Sequence, residues 1–132
     1  MWVLMWDEGG QRRSTTEPTV AKIGELVREL NNKDRTFVYL RTPEDEAIMV
    51  IGGDAEARVM AVHHSKDETV AGSSVMIDPM VSSDGEMILA AGGQMIRYTA
   101  RWGVSKLAAT KALIHFLHTQ SLTQEFKWES TA

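Results

Sequence analysis

The side chains able to carry chemistry fall in few places. His63-His64, with Asp67 and Glu68 close behind, offers two imidazoles and two carboxylates, the ligand types of a divalent metal site. Neighbouring side chains in a strand point to opposite faces, so only one imidazole can share an ion with a nearby carboxylate. The group fits a strand end running into a polar loop, and no metal is expected. His115 and His118 stand three apart with Lys111 one turn before His115. A lysine there repels a bound cation, so these residues describe a solvated helix face. No G-x-S-x-G occurs, and Gly72-Ser73-Ser74 has no base beside it in sequence. The glycine pairs lack the spacing of phosphate loops, and Gly52-Gly53 leads into a strand where a helix N-terminus would be needed. Glu44-Asp45-Glu46 supplies adjacent carboxylates, but in a turn, where burial does not raise a pKa into the range of a general acid. Without cysteine there is no thiolate nucleophile, zinc-thiolate site or disulfide. The chain is read as a non-enzyme without cofactor.

The elements that hold these residues follow from periodicity. Residues 2–6 form a short strand apolar on both faces, and DEGGQRRSTTE reads as a loop. Thr16 is the expected N-cap of a first helix, with Glu17 and Pro18 in its first turn. Val20, Ile23, Val27 and Leu30 make its apolar stripe, and Gly24 is expected to let it close on a sheet. The period then changes to two. Strands are expected at 36–41, 47–51, 58–64, 75–77, 86–91 and 94–100, joined by short turns such as Gly52-Gly53-Asp54. Val59, Ala61 and His63 share one face, and Arg58, Met60 and Val62 the other. Met49, Met60, Met76, Met87 and Met95 read as core filler. Ser105 caps a second helix over 106–119, with Leu107, Leu113, Ile114, Phe116 and Leu117 on its inner half. Phe126 and Trp128 belong to a final strand or packed tail. The expectation is one α+β domain spanning 1–132, with a largely antiparallel sheet of about six strands packed against an N-terminal and a C-terminal helix.

The chain has 132 residues, 43% apolar and 24% charged, which suits one globular domain. No apolar run approaches the roughly 20 residues of a membrane span, and MWVLM is too short for a signal-peptide core. A cytoplasmic protein is expected. The first 100 residues carry a charge balance of −6 and the last 32 of +2, together the −4 of the chain. An acidic body disfavours nucleic acid and membrane surfaces and suits a basic protein partner. The exposed acidic groups Glu44-Asp45-Glu46, Asp67-Glu68 and Asp84 with Glu86 are the candidate contacts. Arg101 and Trp102 join them, because both residue types are enriched at binding hot spots.

The segment VSKLAATKALIHFLHTQSLTQEFKW, residues 104–128, resembles the closing segment of immunity protein family one of bacterial polymorphic toxin systems. Val104, Ser105, Ala108, Ala112, Phe116, Thr119 and Trp128 carry the likeness, and Gln120 stands where the family commonly has glycine. The order of strand, helix and antiparallel meander is also similar. The resemblance implies an antitoxin that binds a cognate toxin, encoded beside it, in interbacterial competition. Several toxins of such pairs resemble nucleic-acid deaminases. From charge alone, the acidic groups are expected to block a basic substrate channel of the toxin, without metal or cofactor. Self-association through an exposed sheet edge is a further expectation. The alternative reading is a small-molecule-binding or regulatory α+β module; a small hydrolase or isomerase ranks behind both.

Overall fold

Alternating apolar residues give this chain strands with two different faces, and each face finds its own cover. The computed structural model describes residues 1–54, 57–65, 73–78, 85–91 and 94–130. The strands are β1 (Val3–Glu8), β2 (Gln11–Thr15), β3 (Phe37–Arg41), β4 (Ala47–Gly52), β5 (Arg58–His64), β6 (Ser73–Ile77), β7 (Glu86–Ala91), β8 (Gln94–Thr99), β9 (Val104–Ser105) and β10 (Lys127–Ser130). The helices are α1 (Val20–Arg28) and α2 (Lys106–Thr119). The main sheet has eight strands in the order β10-β6-β5-β4-β3-β1-β2, with β9 pairing the start of β5, and β7-β8 form a separate hairpin. Every pairing in the main sheet is antiparallel.

The inner face carries Leu4, Trp6, Val38, Leu40, Ile48, Val50, Val59, Ala61 and Met76. Ile23, Leu26 and Val27 of α1 and Ala109, Ala112, Leu113 and Phe116 of α2 cover it. Phe116 is fully buried, with the rings of Trp2 and His63 edge-on at 5.9 and 6.0 Å. On the outer face Ile51, Met60, Val62 and Val75 meet Met87 and Leu89 of the hairpin in a second core. Asn32 ties the hairpin down: its side-chain amide donates to the Ile88 carbonyl at 3.0 Å, and its oxygen accepts the Ala90 N–H.

Several expectations are corrected. The stretch 11–15 is strand β2, hinged at Gly9 and Gly10, whose φ of 56° and 85° suit the tight turn. The polar composition that suggested a loop belongs to an edge strand, where all but Thr15 are exposed. The cap of α1 is Thr19, whose hydroxyl accepts the Lys22 N–H at 3.1 Å, so Thr16 lies outside the helix. Val20 and Leu107 point to solvent at 43% and 66% exposure, while Leu113 and Phe116 are buried as expected and Ala109 and Ala112 join them on the inner face. Met95 is 61% exposed and fills no core. A Cβ on Gly24 would meet only the Arg28 guanidinium, at 3.3 Å, so close approach to the sheet does not require this glycine. The turn predicted at 92–93 and part of that at 82–85 lie outside the described residues.

Candidate functional site

The β3–β4 turn is built around one hydroxyl. Thr42 is 2% exposed, and its Oγ1 accepts the N–H of Glu44 at 3.2 Å and of Glu46 at 3.1 Å. Its backbone N–H donates to the Glu46 carbonyl at 2.8 Å, and its carbonyl accepts the Asp45 N–H at 3.1 Å. Asp45 takes a left-handed conformation, φ 66°, that aspartate tolerates better than most residues. Glu44 and Asp45 are thus held outward and exposed, without an ion-pair partner among the described residues. Glu46 is half-buried, 3.5 Å from His63 Nε2.

The other predicted contacts do not join this turn. Asp67, Glu68 and Asp84 lie outside the described residues. Glu86 begins β7, exposed, 3.7 Å from Arg97. It follows Gly85, whose carbonyl accepts the Ala100 N–H, while the Arg101 carbonyl accepts the Asp78 N–H beyond the end of β6. The acidic turn lies instead near the start of β6, because Ala47 pairs with His64 and His64 with Ser73. Arg101 and Trp102 face inward to a common partner. Arg101 Nε donates to Glu129 Oε1 at 3.1 Å and Nη2 donates to Oε2, while Trp102 Nε1 donates to Oε1 at 2.5 Å. The Trp102 hydrogen bond and then the Arg101 charge hold the Glu129 carboxyl below its ordinary value. These three residues fasten β10 to the segment before α2.

The two histidines separate as strand geometry requires. His63 turns to Phe116 and His64 to the Ser73 hydroxyl, 3.0 Å from Nδ1. Among the described residues no group of three or more His, Cys, Asp or Glu is placed to hold a metal ion. No helix among the described residues is long and apolar enough to cross a membrane.

A second feature was not foreseen. The β7-β8 hairpin covers only part of the outer sheet face, and beside it an open cavity of about 370 Å³ is lined by Met5, Arg12, Phe37, Tyr39, Arg41, Met49 and Ile51. A more polar cavity of about 310 Å³ adjoins it and shares Arg12 and Phe37. The alternation of Phe37, Tyr39 and Arg41 on β3 was the available signal. Reading residues 11–15 as a loop hid the register that brings Arg12 opposite Asp7.

The residues that carry the family resemblance have structural roles. Val104 pairs with Val59, and Ser105 Oγ accepts the Ala108 N–H at 3.0 Å. Ala112 and Phe116 are buried, and Thr119 Oγ1 donates to the His115 carbonyl at 2.8 Å. Trp128 Nε1 donates to the Thr123 carbonyl at 3.1 Å. Gln120 is left-handed, φ 55°, the geometry for which a helix end favours glycine. Comparison of the chain with protein-family models, with curated proteins and with solved structures gives no match.

Proposed function

We propose that this protein is a cytoplasmic immunity protein that neutralises a cognate bacterial toxin by binding it, using the acidic β3–β4 turn to enter a basic channel. The observation that carries the reading is the turn itself, where a buried threonine fixes two exposed carboxylates that have no cation partner among the described residues. A loop already ordered loses little conformational entropy on docking, so its charge is available for association. A channel that grips phosphate backbones is positively charged, and a fixed pair of carboxylates is complementary to it. The resemblance of residues 104–128 to the immunity family supports the same reading, although Gln120 departs from the family's glycine. The toxin is a nucleic-acid-targeting enzyme in this scheme, a deaminase being one candidate, and inhibition is steric and electrostatic.

The test is co-expression with the protein encoded immediately upstream, followed by co-purification and growth rescue. A one-to-one complex that restores growth is the expected result. Charge reversal at Glu44 and Asp45 should then slow association about tenfold or more and flatten its salt dependence. Absence of complex and rescue overturns the reading. A complex whose association rate ignores the reversal moves the contact away from the turn.

A further inference from the structure

We propose that the open cavity on the outer sheet face binds a small aromatic anion, a ring system carrying a carboxylate or phosphate. Strand register places Met5, Tyr39 and Met49 side by side across β1, β3 and β4, with Phe37 next on the same face of β3. Thioethers and aromatic rings form a polarizable floor on which a flat ring gains stacking and dispersion contact. Arg41 stands two residues beyond Tyr39, and Arg12 reaches the floor from β2 on the other side. Neither guanidinium has a hydrogen-bond or ion-pair partner among the described residues.

The one carboxylate that register brings opposite Arg12 is Asp7. Its oxygens are occupied by the Thr36 N–H at 2.7 Å, the Phe37 N–H at 3.1 Å and the Thr36 hydroxyl at 2.5 Å. Two forked cations therefore stand over an apolar floor. A neutral ring would leave the guanidiniums unused, and an inorganic anion would leave the floor unused; a ring that bears an anion uses both. The cavity of about 370 Å³ lies within the size range of small-molecule sites. The net charge of −4 opposes a long polyanion far more than a small one. Ligand binding at this cavity does not rest on the toxin-binding reading.

The test is a titration of the isotope-labelled full chain with naphthoate, followed by amide chemical shifts. Naphthylmethanol serves as the neutral ring and inorganic phosphate as the ringless anion. Naphthoate is expected to saturate one site about tenfold or more tighter than either control, with shifts centred on Met5, Tyr39 and Met49. Arg12→Gln with Arg41→Gln should weaken naphthoate about tenfold or more while thermal unfolding stays unchanged. Arg41→Lys, which keeps the charge, should lose less than Arg41→Gln and controls for any effect of the double change on folding. Equal affinity for the alcohol, shifts centred elsewhere, full binding by the double variant, or no binding at millimolar concentration each overturns the proposal.

Discussion

Replacing Glu129 by Gln tests how the end of the chain is held. The carboxylate accepts from Arg101 Nε and Nη2 and from Trp102 Nε1, so the substitution keeps the shape but removes the charge that strengthens all three bonds. Hydrogen bonds to a charged group contribute about 1.5–3 kcal/mol each when shielded. Here the Arg101 and Glu129 side chains are 39% and 24% exposed, and solvent screens the pair. With one neutral acceptor retained, the net loss is about 1–2 kcal/mol. For a domain of this size that lowers Tm by about 3–8 °C at neutral pH.

The sign of the pH dependence is fixed by the lowered pKa. Between the folded value and the ordinary 4.5, the unfolded chain binds the extra proton, so stability rises with pH there. The contribution is complete above the unfolded value and is lost as pH falls through the folded one. Thermal unfolding of wild type and Glu129→Gln, followed by circular dichroism from about pH 7 to about pH 3, should show a gap that closes in acid. Glu8 and Asp34, whose carboxyls are also lowered by hydrogen bonds from Trp6 and Asn31, titrate in both proteins and cancel in the difference. Equal melting at neutral pH, or a gap that persists unchanged into acid, refutes the reasoning.

Gln120→Gly removes a side chain from a left-handed helix end and should stabilise by about 0.5–1 kcal/mol in urea unfolding. Gly24→Ala should gain up to about 1 kcal/mol, because the added Cβ meets only the mobile end of Arg28. Thr42→Val leaves the Glu44 and Glu46 N–H groups without their acceptor and should cost about 1–3 kcal/mol, with amide exchange rising first in the β3–β4 turn. Phe116→Ala empties the core position on α2 against which the rings of Trp2 and His63 pack. A loss of about 3–5 kcal/mol is expected in the same urea assay, and a loss below about 1 kcal/mol would contradict its placement.

Most of the architecture was legible because period and caps agreed. The boundaries of α2 follow from Ser105 and the uninterrupted helix formers after it, and the two faces of β5 follow from simple alternation. The errors have physical sources. A polar edge strand and a loop share composition, so β2 could not be told from a connection without its partner β1. In α2 Leu113 and Phe116 lie inside as the helical period requires, but Ala109 and Ala112 share that face and Leu107, at the start of the helix, stays outside. The candidate contacts divided likewise. Glu44 and Asp45 are exposed as a turn requires, but the inward commitment of Arg101 and Trp102 depends on Glu129, which only the pairing of β10 with β6 brings near. The open cavity depends on how far the hairpin extends over the sheet, which no local pattern encodes.

The seam between β6 and β10 also orders events in time. Lys127 pairs with Ile77 and Ser130 with Ser74, so β6 waits for its outer neighbour until nearly all of the described chain has been synthesised. Closing so large a loop costs entropy before any contact is gained, and sheets built from distant pairings fold in milliseconds to seconds. During translation the β6 edge is therefore an unfilled template for other strands, a window of aggregation risk that ends when Trp128 and Glu129 arrive.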